Sequence, residues 1–302
     1  MGKIRVIINQ AARHGGNRKL ASQIARELAD LDVEIVMADT YEALVESARS
    51  AVAEGMSAVV AVGGDGTINA VLNQLANTEV ALGVVPAGTA NDLATHLGIP
   101  KDVRKACALI RRGSYRELDL VHVNGRYFVT AGGMGVVSDT AVGVNQLKSS
   151  GNFVSKATRR LGSLVYVLYS FGLLAGSKKI VSDVEVSVDG QSHGQMPSIA
   201  VFVNNQPSLG KTVVPYPEAK SDDGELGVCV MKRRSRLGAI LTVILMSMKG
   251  AHTRRSDIKL LAGKRIEIKS PTKKTFIGDG EVLAHTRTLT LNVVPKAIRI
   301  LS

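Results

Sequence analysis

From Ile4 to Ile110 the chain alternates short β-branched runs with longer amphipathic stretches, and that rhythm limits the folds open to it more than any other feature. The strand-like runs are Ile4–Ile8, Val33–Met37, Ala58–Val62 and Ala81–Val85. Between and after them lie the helix-like stretches Asn17–Leu31, Tyr41–Glu54, Ile68–Leu75, Asn91–Leu97 and Val103–Ile110. A parallel crossover needs about a dozen residues, so strict alternation specifies a parallel sheet with helices on its faces. After Asp119 the pattern changes: Val184–Val188 runs into Asp189-Gly190 and then Ile199–Val203, and later runs are Leu226–Met231, Arg265–Ile268, Thr288–Val293 and Ala297–Leu301. Period-two runs joined by Asp-Gly and Asn-Gly turns predict antiparallel strands, and hence a second, mainly β domain that also holds two helical stretches. A length of 302 residues agrees, because it exceeds what one hydrophobic core usually organises.

Within the first half, Val59-Val60-Ala61-Val62-Gly63-Gly64-Asp65-Gly66-Thr67-Ile68-Asn69 runs from a buried strand through glycines into a helix. Glycines let the backbone approach a phosphate closely, and the following helix presents unpaired N–H groups at its positive end. Thr67 can cap that helix or bond a phosphate oxygen. A carboxylate at Asp65 would repel phosphate unless a cation intervenes, which implies Mg²⁺ carried by a nucleotide. A lone Gly-Gly would be read as a plain strand-to-helix turn. Here a second loop, Leu82-Gly83-Val84-Val85-Pro86-Ala87-Gly88-Thr89-Ala90-Asn91-Asp92-Leu93, repeats the chemistry. Both loops leave the carboxyl ends of parallel strands, so Asp65 and Asp92 can face one cleft. Neither is a Walker loop, since no Lys follows the glycines, and neither has the three spaced glycines of a dinucleotide fingerprint.

Charge narrows the partners without naming one. The chain has 38 Lys plus Arg against 26 Asp plus Glu, a formal net charge of +12, which suits a nucleotide, a nucleic acid or an anionic bilayer. An aromatic content of 4% without any Trp argues against binding nucleic acid by base stacking. Cys107 and Cys229 lack metal-site spacing and read as small apolar fillers. Met1–Gln10 has neither a long apolar stretch nor a cleavage site, so a cytoplasmic location is expected. Two apolar stretches, Leu161–Ala175 and Leu237–Met248, fall short of the roughly 20 residues that span a bilayer. Their flanks are basic: Lys156, Arg159, Arg160, Lys178 and Lys179 around the first, and Lys232, Arg233, Arg234, Arg236 and Lys249 around the second. A buried helix with solvated ends is the plainer reading; interfacial contact with a membrane is the other.

At the two glycine loops the chain resembles the diacylglycerol kinase catalytic domain family, in particular the bacterial soluble lipid kinases of the YegS and DgkB type. Gly63-Gly64-Asp65-Gly66-Thr67 is similar to the family's nucleotide loop and Gly88-Thr89-Ala90-Asn91-Asp92-Leu93-Ala94 to its second loop, followed by the similar Leu97-Gly98-Ile99-Pro100. Ser221-Asp222-Asp223-Gly224-Glu225-Leu226 resembles its metal turn, and Gly278-Asp279-Gly280-Glu281 its Asp-Gly-Glu segment. The resemblance implies an N-terminal three-layer α/β domain over residues 1–123, completed by 287–302, a β-sandwich domain over 124–286 that takes the lipid, and an active site in the cleft between them. It implies ATP as phosphate donor and Mg²⁺ as cofactor. Nucleotide contacts carry over to Asn9 and Arg13, Thr40, the run Gly63, Gly64, Asp65, Gly66, Thr67, Ile68, Asn69 and Ala70, and Thr89 and Asn91. Asp65, Asp92 and Asp119 match the acidic positions around the nucleotide and its metal. A structural Mg²⁺ would rest on Asp223 with carbonyls of Lys220 and Glu225, where an Asx turn is the alternative. Glu281 is implied as the catalytic base with Asp279 as its partner or a metal ligand; without the resemblance this segment reads as a solvated Asp-Gly turn.

The chain also departs from the family pattern. Its first strand ends Asn9-Gln10-Ala11-Ala12-Arg13-His14-Gly15-Gly16, without the usual Asn-Pro and Ser, and Ala70 stands where an acid is usual. The expected activity is transfer of the ATP terminal phosphate to a lipid hydroxyl at an anionic membrane surface, by an enzyme peripheral to the inner face. Diacylglycerol, phosphatidylglycerol, a sphingoid base and a ceramide all remain open as acceptors. Oligomeric state also stays open, a homodimer being compatible. The competing readings are an NAD-type kinase, which would phosphorylate NAD without lipid, and a nucleotide- or lipid-binding regulator with weak turnover. Nucleic-acid binding lacks a recognisable module.

Overall fold

The computed structural model describes residues 2–10, 17–149, 164–176, 181–210, 212–248 and 250–302. The chain forms two compact units, Met1–Leu120 with Val294–Ser302, and Val121–Val293. The first unit contains β1 (Ile4–Asn9), α1 (Asn17–Glu27), β2 (Val33–Ala38), α2 (Tyr41–Ala53), β3 (Ala58–Gly63), α3 (Asp65–Leu75), β4 (Ala81–Pro86), α4 (Asp92–His96) and α5 (Val103–Arg112). β5 (Tyr115–Val123) begins in this unit and ends in the second. The strands run in the order β2-β1-β3-β4, all parallel, with Val6 opposite both Ile35 and Val60. Beside β4 lies the end of the last strand, β13 (Glu281–Leu301), where Ile300 faces Leu82 in parallel.

β3 and β4 are buried along their whole length, the pattern of parallel strands covered on both faces. Alternate residues Ile4, Val6 and Ile8 of β1 and Ala58, Val60 and Val62 of β3 pack against Leu20, Ile24 and Leu28 of α1 and against Ala106, Cys107 and Ile110 of α5. The pleat turns Ile7, Val59 and Ala61 the other way, and α2 and α3 pack on each other and on β1 and β3. Local chemistry fixes the helix ends: the side chains of Thr40 and Asp102 accept from the Ala43 and Lys105 N–H groups, and α5 stops at Gly113 with φ 68°.

The second unit contains β6 (Arg126–Phe128), β7 (Ala131–Gly135), α6 (Val136–Ser149), α7 (Leu164–Gly176), β8 (Ser182–Val188), β9 (Gln191–Asn204), β10 (Leu226–Lys232), α8 (Arg236–Met246), β11 (Ile258–Gly263) and β12 (Arg265–Gly278), with the first part of β13. It is β-rich and antiparallel, in the order β11-β10-β9-β7-β12-β13, with β8 paired to both β9 and β12. Three of its hairpins turn on two residues with positive φ: Asn124-Gly125 (50° and 77°), Asp189-Gly190 (50° and 85°) and Asp279-Gly280 (50° and 80°). Asn-Gly and Asp-Gly pairs supply that geometry at little steric cost, and its twist matches the strands. Along β9 and β10 the side chains alternate between two cores. Val201, Val203, Val228 and Val230 pack with Ile266, Ile268 and Phe276, whereas Phe202, Cys229 and Met231 pack under Leu174 of α7 and Ala239, Val243 and Met246 of α8.

Both cysteines are fully buried, and burial pushes their thiols up to about 11 at Cys107 and about 12 at Cys229, so they serve as apolar fillers. Of the apolar stretch at Leu161–Ala175, the part from Leu164 is helical; Leu161, Lys156, Arg159, Arg160, Lys178, Lys179 and Lys249 lie outside the described residues. No helix among the described residues is long and apolar enough to cross a membrane.

One buried titratable group makes stability depend on pH. His252 is fully buried with Nε2 donating to the Pro215 carbonyl at 2.8 Å, and burial pushes its imidazole below the ordinary 6.5 in spite of that bond. The folded state resists protonation of the ring more than the unfolded chain does, and the unfolded chain takes up a proton once pH falls below about 6.5. Stability is therefore lost on acidification and is unaffected by this group at higher pH. Urea unfolding from about pH 7 to about pH 5 should show a shallower decline for His252→Gln than for the parent, by at most about 1.4 kcal/mol per pH unit. Parallel declines would rule out this role for His252.

Candidate functional site

The two glycine loops meet in the first unit because backbone lies against backbone. A side chain at Gly88 would put Cβ 2.4 Å from the Gly64 Cα and 2.8 Å from Asn91 Oδ1, and one at Gly63 would sit 2.4 Å from Thr67 Oγ1. Asp65 ties the loops together: Oδ2 accepts from the Asn91 N–H at 2.9 Å and Oδ1 from the Asp92 N–H at 2.6 Å. Buried Asn91, held at φ 54°, closes the second loop by accepting from the Gly88 N–H at 2.9 Å and donating to its carbonyl at 2.8 Å. The Ala87 N–H donates to the Gly63 carbonyl at 2.8 Å. These bonds give a second reason for a carboxylate among the glycines, besides the cation expected from the sequence. Gly64 caps α3 without a side-chain bond, so the first turn of that helix keeps N–H groups available to an anion.

Around this centre the expected nucleotide residues divide. Asn9, at the end of β1, donates to Thr67 Oγ1 at 2.8 Å and so joins the first loop. Gly66 and Thr89 are exposed. Thr67, Ile68, Asn69 and Ala70 are buried in α3, and Ala70 contributes packing where the family pattern carries an acid. Thr40 is occupied as the cap of α2. Asp119 is buried on β5, where it accepts from the Lys296 N–H at 2.8 Å. Arg13 lies outside the described residues.

In the second unit the Asp-Gly-Glu segment forms the β12–β13 hairpin. The turn gives Asp279 and Glu281 different tasks, unlike an extended strand, which would put both on one face. Asp279 accepts from the Thr130 N–H at 2.8 Å, from Thr130 Oγ1 at 2.6 Å and from the Val129 N–H at 3.1 Å, and its own N–H donates to the Ala131 carbonyl. Glu281 is half-buried and forms an ion pair with the half-exposed Arg126. Gly278 is required by packing, because a Cβ there would lie 2.6 Å from Leu283 and 2.8 Å from Phe128. Arg126 and Thr130 were not singled out from the sequence: each lies about 150 positions before its partner, and only the hairpins bring them together.

The expected metal turn is exposed at Lys220, Asp223 and Glu225, and Asp223 Oδ1 accepts from the Glu225 N–H at 3.1 Å, which is an Asx turn. Burial raises the nearby Tyr216 hydroxyl, and the field of Glu218, Glu225 and Asp223 raises it further. Among the described residues no three His, Cys, Asp or Glu side chains gather to hold a metal.

Comparison with known proteins gives this geometry a context. The family described as diacylglycerol kinase catalytic domain matches residues 3–123. The one described as YegS C-terminal NAD kinase beta sandwich-like domain matches residues 140–302, more than half of the chain. A diacylglycerol kinase of Bacillus subtilis (strain 168) is 29% identical over 287 residues, covering 93% of this chain and 90% of its own. A candidate diacylglycerol kinase from Bacillus anthracis str. Sterne, known by crystal structure, is 25% identical with a TM-score of 0.81, over 99% of this chain and 94% of that one. An NAD kinase from Archaeoglobus fulgidus, solved with ATP, shares the fold at 12% identity and a TM-score of 0.51, over 99% of this chain and 93% of that one.

The loop junction makes a stability prediction that needs no ligand. Asp65→Asn turns one acceptor into an N–H₂ group facing an N–H donor, and should cost about 1–3 kcal/mol in urea unfolding. Thr89→Ala, at an exposed position of the same junction, should stay within about 0.5 kcal/mol. Equal stability of Asp65→Asn and the parent would contradict the link.

Proposed function

The chain belongs to the diacylglycerol kinase catalytic domain family of the YegS and DgkB type, and from that premise we propose that it transfers the terminal phosphate of ATP to a lipid hydroxyl. The observation that carries the reading is the locked pair of glycine loops: Gly64 against Gly88, pinned through Asp65, leaves backbone N–H groups at the start of α3 for the phosphates. The lipid class comes from the name of the Bacillus subtilis relative. Phosphoryl transfer asks the protein chiefly to position its partners and to balance charge, with a carboxylate to take the incoming proton.

Of the two hairpin carboxylates, Glu281 suits the proton better. The oxygens of Asp279 accept from three donors on Val129 and Thr130, which makes it the fixed support of the turn. Glu281 meets a single guanidinium, that of Arg126, which orients it. In the proposed step the lipid oxygen attacks the terminal phosphorus and loses its proton to Glu281. The bond from that phosphorus to its bridging oxygen breaks, and ADP leaves. This requires donor and base to meet in the cleft expected from the sequence. Mg²⁺ enters only as the counter-ion that ATP brings with it.

Labelled ATP with a panel of lipids in mixed micelles, and NAD as a soluble control acceptor, should give one phosphorylated lipid and no labelled dinucleotide. Glu281→Gln should lower the rate by about 10²- to 10⁴-fold with ATP affinity unchanged. Transfer to NAD alone, or equal rates for the two proteins, would overturn the reading.

A further inference from the structure

α8 is apolar on two opposite sides, and the protein covers only one of them. Ala239, Val243 and Met246 are buried on β9 and β10, and buried Thr242 donates to the Gly238 carbonyl at 2.9 Å. On the opposite side Leu237, Leu241, Ile244 and, just past the helix end, Met248 are 81%, 46%, 41% and 60% exposed. Their spacing of four, three and four residues lines them up as one stripe. Single exposed hydrophobics are ordinary, but a continuous stripe marks an interaction surface. It holds four of the nine large hydrophobics exposed among the described residues, and no charged residue interrupts 237–248.

The charge around the stripe selects what covers it. Arg233, Arg234 and Arg236 are exposed at its start, and Arg254 is exposed beyond its end. Arg234 is held by Asp257 at 3.0 Å, and Arg236 Nη1 donates to the Ala175 carbonyl at the end of α7 at 2.8 Å, so two guanidinium groups are fixed beside Leu237. Asp257 is buried, and Arg255 pairs with it as well, so the exposed collar stays positive. A second copy of this chain, with net charge +12, would set positive charge against the basic collar. An anionic bilayer brings the opposite charge together with an apolar interior.

We propose that the stripe of Leu237, Leu241, Ile244 and Met248, with the collar Arg233, Arg234 and Arg236, is the surface on which the second unit docks to an anionic phospholipid bilayer. α8 would lie in the plane of the interface with its stripe about 5–10 Å into the headgroup and acyl boundary. This deepens the lipid-kinase reading and takes its purpose from it. The binding itself is measured without ATP, so failed docking and failed transfer are separate results.

The test is flotation of the full chain with vesicles of phosphatidylcholine, with and without phosphatidylglycerol, at low and high salt. The parent should float with the anionic vesicles and lose most binding in salt. Leu237→Asp with Leu241→Asp should reduce the bound fraction about tenfold or more at an unchanged melting temperature, since both side chains are exposed. Arg233→Glu with Arg236→Glu should abolish the preference for phosphatidylglycerol. In a soluble micellar assay the Asp pair should still transfer phosphate if the kinase reading holds. A parent that does not float with anionic vesicles overturns the proposal, as does an Asp pair that floats as well as the parent. So does a parent dimer that the Asp pair converts to monomer without change in flotation, which would assign the stripe to self-association.

Discussion

The contact on which the first unit's site depends is the approach of Gly64 to Gly88, two backbones close enough that neither position accepts a side chain without displacement. Two peptide segments at that distance need something to hold them, and Asp65 does so by taking the N–H groups of Asn91 and Asp92 on separate oxygens. Charge-assisted bonds of this kind are roughly twice as strong as neutral ones. The first turn of α3 thereby stays open to an anion while its flanks are rigid. A rigid donor array needs little reorganisation when negative charge arrives, which is what phosphoryl transfer asks of its binding loop.

The same chemistry recurs away from the loops. Asp279 holds the N–H groups of Val129 and Thr130, Asp189 those of Lys264 and Arg265, and Asp119 that of Lys296. Aspartate has a short side chain and reaches a neighbouring backbone easily, so in this chain it mostly fastens turns. Within the Asp-Gly-Glu hairpin the two carboxylates differ: Asp279 is tied to the Val129 and Thr130 N–H groups, whereas Glu281 meets the guanidinium of Arg126. Inside this hairpin, that difference is the reason the proton is assigned to Glu281 and the support of the turn to Asp279.

Much of this was legible in the sequence, for reasons that are local. The alternation from Ile4 to Ile110 gave the parallel unit, and Asn124-Gly125, Asp189-Gly190 and Asp279-Gly280 turned hairpins because that pair suits positive φ at both positions. Both glycine loops were recognisable as a pair. Their mutual contact was not, because no local rule relates Gly64 to Gly88, and the Arg126–Glu281 pair spans 155 positions. At Asp223 the side chain bonds two residues ahead, a local turn compatible both with a plain Asx turn and with the expected Mg²⁺ on one carboxylate and backbone carbonyls. The stretch from Leu237 to Met248 read most simply as a buried helix, since apolar residues on every side carry no signal of which side is covered. Only the packing of Ala239, Val243 and Met246 identifies the face left open.

Hydrogen exchange on the full chain, with and without ATP, tests the central claim most directly, because it reads the backbone N–H groups assigned to phosphate. Binding should slow exchange across Gly64–Thr67 and Gly88–Asp92 more than elsewhere in the first unit. Bound ATP that leaves both segments unprotected, or protects a different part of the chain alone, would contradict the account.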